Sequence, residues 1–77
     1  MEKKYFIYCK KGLDEYIDKL EELGFFYEKK IEYSVLDYEI GKFRYRGDNF
    51  NQDSKCLKSI DDTIRIEEIP IVKILKK

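Results

Sequence analysis

Residues 36–46, LDYEIGKFRYR, constrain the fold more than any other stretch of this chain. Their alternation sets strand conformation, and Gly41-Lys42 placed at a two-residue tip turns the stretch into a β-hairpin. Gly at the first central position suits a type II′ turn, whose twist matches the flanking strands. The resulting register pairs Ile40 with Phe43, Glu39 with Arg44, Tyr38 with Tyr45 and Asp37 with Arg46. One face is then apolar and aromatic and holds Leu36, Tyr38, Ile40, Phe43 and Tyr45 as the core side. The other pairs opposite charges, and each cross-strand pair contributes roughly 0.2–1 kcal/mol. A slip of one residue would exchange the two faces, so the register is tightly specified.

The remaining elements follow from periodicity. Lys4 to Cys9 (KYFIYC) is an apolar run of strand type, expected to be buried on both sides or nearly so. Leu13, Tyr16, Ile17, Leu20 and Leu23 recur at helical spacing, with Asp14 and Glu15 at the positive end of the helix dipole. Gly24 stands where a left-handed residue closes a helix. From Phe25 the period becomes two. Ile31, Tyr33 and Val35 alternate in one phase and Leu36, Tyr38 and Ile40 in the other, which calls for a bulge near Ser34-Val35 or for two short strands. Residues 47–54 read as a polar loop. Asp53 or Ser54 is the expected cap of a short helix through Ile60, broken by Asp61-Asp62. Thr63 to Glu67 alternates as a strand, and Pro70 marks a kink or an edge. Val72 to Leu75 reads as a further strand or a terminal helical turn.

The order β-α-β-β-(α)-β is that of a small α+β domain of the ferredoxin-like, split βαβ kind: an antiparallel sheet with one long and one short helix on one face. A βαββ core with a C-terminal hairpin is the alternative. At 77 residues the chain is expected to be a single domain, residues 1–77, with a small core.

Composition excludes more than it selects. Sixteen basic residues balance sixteen acidic ones, so bulk charge singles out neither nucleic acid nor an anionic membrane. The chain has no histidine, which removes Ser-His-Asp and Cys-His apparatus and imidazole metal ligands. Asn49, Asn51 and Asp53 imitate the start of a calcium loop, but Ser54 and Ile60 stand where that loop needs Gly and Glu. Cys9 and Cys56 form no metal or redox motif and are expected to be free thiols, Cys9 as a small buried hydrophobe. The N-terminal apolar run is too short for a signal peptide, and no stretch reaches membrane-spanning length. The expectation is a cytoplasmic, non-enzymatic protein with no cofactor, no metal and no membrane partner.

Two binding readings remain. Seven tyrosines and five phenylalanines exceed what a core this small usually hides, and tyrosine is enriched at interface centres. The leading expectation is a protein-protein interaction module, forming a homodimer or covering a larger assembly as a small virus- or mobile-element-encoded inhibitor would. Its contact residues are expected to be Tyr5, Tyr8, Tyr27, Tyr33 and Phe50, with the acidic helix stripe Asp14, Asp18, Glu21 and Glu22. The alternative is a single-stranded RNA or DNA binder using Phe6, Tyr8, Lys10, Lys42, Arg44 and Arg46. GKFRYRG lacks the second small residue of the RNA-recognition signature, so motif evidence for that alternative is absent.

Overall fold

Alternation starts at the first strand and organises the whole molecule. The computed structural model describes residues 3–10, 12–32 and 37–70. In β1 (Lys3–Cys9), Tyr5, Ile7 and Cys9 are buried while Phe6 and Tyr8 are only half-buried. The strand therefore has one core face, not two. The chain continues through a 3-10 turn (Leu13–Glu15), α1 (Ile17–Glu22), β2 (Phe25–Lys30), β3 (Glu39–Tyr45), α2 (Phe50–Ile60) and β4 (Arg65–Glu68). The result is an α+β fold: a four-stranded antiparallel sheet in the order β2-β3-β1-β4, with two helices.

The hairpin read from residues 36–46 is not formed. Strand β3 runs straight through Gly41 and Lys42, and Gly41 sits between Ile7 of β1 and Lys30 of β2. Glycine stands there because of a close approach. A Cβ at this position would lie 2.7 Å from Leu13 Cδ2 and from Phe43 Cε1, so the 3-10 turn rests directly on the bare backbone. With no turn at 41–42, parity decides the faces. Glu39, Gly41, Phe43 and Tyr45 point towards the helices, and Tyr38, Ile40, Lys42 and Arg44 point the other way. The expected common face of Tyr38 and Ile40 with Phe43 and Tyr45 is thereby corrected.

The helix expected over Leu13 to Leu23 is interrupted at Tyr16. Tertiary bonds hold its start: Leu13 N donates to Glu39 Oε1 at 2.8 Å, and Tyr16 Oη donates to Asp61 Oδ2 at 2.8 Å. Gly24 ends α1 with φ +97°, the left-handed conformation its position suggests, and its carbonyl accepts from Arg46 N at 2.9 Å. The second helix begins before the expected caps. Asn49 is its N-cap, accepting from Gln52 N at 3.1 Å, and Asp53 instead accepts from the Tyr45 hydroxyl. It ends at Ile60, before Asp61, as the sequence implies.

Strand β2 begins at Phe25 and its register against β3 shifts between Tyr27 and Lys29, which leaves Glu28 as an extra residue. The phase change expected near Ser34-Val35 lies outside the described residues, as do Tyr33, Leu36 and the element expected over Val72 to Leu75. Strand β4 is displaced towards the C-terminus relative to the expected Thr63 to Glu67.

The core lies between the sheet and the helices. Tyr5, Ile7, Cys9, Leu13, Leu20, Phe25, Phe43, Tyr45, Leu57 and Ile64 form its buried cluster. Rings do much of the filling. Tyr5 stacks on Phe50 with centroids 4.7 Å apart, and Phe25 meets Tyr45 at 4.6 Å. Edge contacts link Tyr5 to Phe25 and Tyr45, each at 6.2 Å.

Candidate functional site on the open face of the sheet

The described helices cover one side of the sheet; the other, the open face, buries Ile40 and Tyr38 at one end and leaves Lys4, Phe6, Tyr8, Lys42 and Arg44 at least half-exposed. Read across the ladder, these residues fall into rows. Phe26, Arg44 and Lys4 make the first; Lys29, Lys42, Phe6 and Glu67 the second; Ile40, Tyr8 and Arg65 the third. Rows on one face are about 6.8 Å apart along a strand. Phe6 and Tyr8 therefore stand side by side on β1, half-exposed, each with one cationic neighbour across the ladder, Lys42 for Phe6 and Arg65 for Tyr8. Phe26 adds a third ring at 36 % exposure, near the β2 edge.

The third row ends in a ring cluster. Tyr38, only 7 % exposed, meets Tyr8 edge-on at 6.0 Å. Lys10 Nζ lies 5.5 Å and Arg65 Cζ 5.9 Å from the Tyr38 ring centre, within cation–π range. A groove of about 880 Å³ opens here beside Tyr8 and Tyr38, where Lys10, Lys58 and Arg65 are balanced by Asp37, Asp62 and Glu67. Elsewhere a second hollow of about 560 Å³ is bounded by Lys3, Tyr45, Arg46, Asp48, Phe50 and Glu68. Its charges cancel, so it offers no net attraction to either sign.

Opposing charge on the open face is concentrated in few residues. Glu28 Oε2 lies 3.5 Å from Lys4 Nζ and 3.2 Å from Arg44 Nε, and Tyr8 Oη donates to Glu67 Oε1 at 3.4 Å. Lys4, Lys10, Lys29, Lys42, Arg44 and Arg65 outnumber these acids. The face is net positive although the chain as a whole is neutral.

The shifted ionisable groups lie on the covered side. Burial, reinforced by Asp61 and Glu39, pushes the Cys9 thiol up to about 12. Its donated hydrogen bond to Asp61 raises the Tyr16 phenol to about 12, and burial with the bond to Asp53 raises Tyr45 to about 12. Asp61 is itself buried and also accepts from Thr63 N at 2.9 Å and Thr63 Oγ1 at 2.6 Å. Glu39 is lowered by the Leu13 amide and by Lys30. These groups pin elements together: Asp61 ties the end of α2 to the start of α1, and Glu39 ties β3 to the 3-10 turn. Both cysteines are free thiols, Cys9 buried and Cys56 half-buried.

The residues expected at an interface scatter. Tyr5 is 3 % exposed and stacked in the core, so its expected exposure is corrected. Phe50 and Tyr27 are half-buried and pack against the core cluster. Stacked and edge-to-face packing takes Tyr5, Phe25, Tyr45 and Phe50 into the core, while Phe6, Tyr8 and Phe26 keep exposed surface. Tyr33 lies outside the described residues. Asp14, Asp18, Glu21 and Glu22 are all exposed on the outer side of the 3-10 turn and α1.

By contrast, the structure gathers Phe6, Tyr8, Lys42 and Arg44 onto one face, with Lys10 at its end beside Tyr38. Arg46 follows β3 and lines the smaller hollow. Lys4, Glu28, Lys29 and Arg65 belong to the open face and were not singled out from sequence. The run YFIYC is apolar throughout and gives no alternation that would have placed Lys4. Among the described residues no cluster of acids and cysteines suited to a metal ion occurs, and no helix is long and apolar enough to cross a membrane. No family model, curated protein or solved structure matches the chain.

Proposed function

We propose that the protein is a non-catalytic binding module on the ferredoxin-like, split βαβ plan, and that its open sheet face holds single-stranded nucleic acid. The fold reading rests on strand order. In β2-β3-β1-β4, each helical crossover joins strands that straddle one antiparallel neighbour: β1 and β2 flank β3, while β3 and β4 flank β1. The functional reading is carried by one observation, the half-exposed Phe6 and Tyr8 with Lys4, Lys42, Arg44 and Arg65 near them on the face that neither described helix covers. Aromatic rings accept unpaired bases by stacking, and flanking cations accept the phosphates. Duplex, whose bases are already stacked on each other, cannot use Phe6 and Tyr8 in this way.

Fluorescence anisotropy with mixed-sequence RNA and DNA single strands of roughly 16 nucleotides tests the proposal. Binding is expected at low salt and weakens steeply as salt rises. Absence of binding to both polymers at low salt would exclude it.

A second reading has a different observation behind it. The exposed acids Asp14, Glu15, Asp18, Glu21 and Glu22 gather on the side away from the open face, with Lys19 paired to Glu22 at 3.4 Å. A basic protein, or a basic patch on a second copy of this chain, is the partner such a surface would attract. Native mass spectrometry across a salt series distinguishes a salt-sensitive dimer from a monomer.

A further inference from the structure

Glu28 occupies an unusual place for a surface acid. The register shift in β2 leaves it as the extra residue, and its carboxylate turns onto the open face. A single oxygen, Oε2, then serves both Lys4 Nζ at 3.5 Å and Arg44 Nε at 3.2 Å. The two cations come from different strands but are direct cross-strand partners in the ladder, so the sheet itself fixes their spacing. One anionic oxygen between an ammonium and a guanidinium is the arrangement a phosphodiester oxygen would adopt.

We infer that Lys4 and Arg44 form a phosphate-oxygen site, which Glu28 fills from within the chain until a phosphate group displaces it. The inference deepens the proposed function, since it names the backbone contact beside Phe6 and Phe26. The Glu28 carboxylate is partly exposed and hangs from an edge strand, so it can swing away without disturbing the core. While bound it lowers affinity for phosphate and discriminates against isolated anions. A ligand that also gains stacking displaces Glu28 more readily, so Glu28 favours a nucleic acid strand over inorganic phosphate.

Glu28→Gln keeps the size of the side chain and removes its charge. Inorganic phosphate alone, titrated while the Arg44 side-chain Nε–H resonance is followed by NMR, reads the site without reference to nucleic acid. Saturable shifts at Arg44 in Glu28→Gln, reduced severalfold in the native chain and lost from Glu28→Gln/Lys4→Gln, are the expected result. Equal phosphate response in the native chain and Glu28→Gln would overturn the inference, whatever oligonucleotides do. With oligonucleotides, Glu28→Gln is expected to bind about three- to tenfold tighter than the native chain, the effect of losing one partly exposed competing carboxylate. Oligonucleotide binding that is unchanged or weakened in Glu28→Gln would overturn the inference and leave the nucleic-acid reading intact. Failure of both proteins to bind oligonucleotides, alongside the expected phosphate shifts, would exclude that reading and support the site.

Discussion

The two faces of this sheet are made by the same strands and differ only in parity, yet they use aromatic residues in opposite ways. On the covered face, Tyr5, Phe25 and Tyr45 lock against each other and against Phe50 of α2, and Phe43 meets Tyr27 edge-on. The Tyr45 hydroxyl is spent on structure, donating to Asp53. On the open face, Phe6 stands between Lys42 and Glu67 and Tyr8 between Ile40 and Arg65, and both rings keep part of their surface in water. Burial decides what a ring can do: once nested it stabilises, and only a ring left half in solvent can receive a ligand. The comparison also explains how a neutral chain presents a positive surface. Among the described residues, exposed acids are collected on the outside of α1 and basic residues outnumber Glu28 and Glu67 on the open face.

This contrast is broken most severely by Phe43→Ala. A fully buried ring at the centre of the covered face is lost, and about 3–5 kcal/mol of stability is expected to go with it in urea denaturation. Next is Gly41→Ala, which places a methyl group against Leu13 and Phe43; a loss of about 1–3 kcal/mol is expected by the same measurement. A neutral result there would mean that the 3-10 turn does not need the bare backbone beneath it. On the open face the effects move from stability to binding. Phe6→Ala and Tyr8→Ala are each expected to weaken oligonucleotide binding by about 1–3 kcal/mol, while costing less stability than Phe43→Ala. A Phe6→Ala protein that unfolds as readily as Phe43→Ala would erase the distinction between the faces.

The smallest effect concerns pH and belongs to the covered side. Tyr16 and Tyr45 are raised from an ordinary phenol value near 10 to about 12. The protonated form is favoured in the folded state, so the stability these groups lend is complete below pH 10 and is lost as pH rises through about 12. Denaturation midpoints are expected to fall across that interval in the native chain and to fall less in Tyr16→Phe/Tyr45→Phe. Glu39 acts at the other end of the scale. Its folded-state value is lowered, so its contribution is present above the ordinary carboxylate range and disappears as pH falls through the lowered value.

Much of this architecture was legible in the chain. The strand over KYFIYC, Gly24 after the first helix and the stop at Asp61 all report local physics and the structure keeps them, whereas the helix from Leu13 is kept only in part, broken at Tyr16. What misled was non-local. Gly41 looks like a turn residue because local chemistry has no other use for glycine before Lys; its real cause, Leu13 pressed on the backbone, is 28 positions away in sequence. One wrong turn reversed the parity of half of β3 and so concealed the fact that Lys42 and Arg44 share a face with Ile40. The cap of α2 was missed for a related reason. Asn49 and Asp53 are both good capping residues, and Tyr45, a tertiary neighbour, claims the second. Of the candidate site, Phe6, Tyr8, Lys42 and Arg44 were named from sequence. Lys4 and Arg65 required the ladder, and Glu28 required the register shift.

The most direct test of the central claim, that the open face is the working surface, is a map of backbone amide shifts by 15N NMR during titration with a single-stranded oligonucleotide. The account predicts perturbations concentrated on Lys4, Phe6, Tyr8, Lys42, Arg44 and Arg65, with Asp14, Asp18, Glu21 and Glu22 still. Perturbations confined to α1 and its 3-10 turn, or none on β1 and β3, would contradict it.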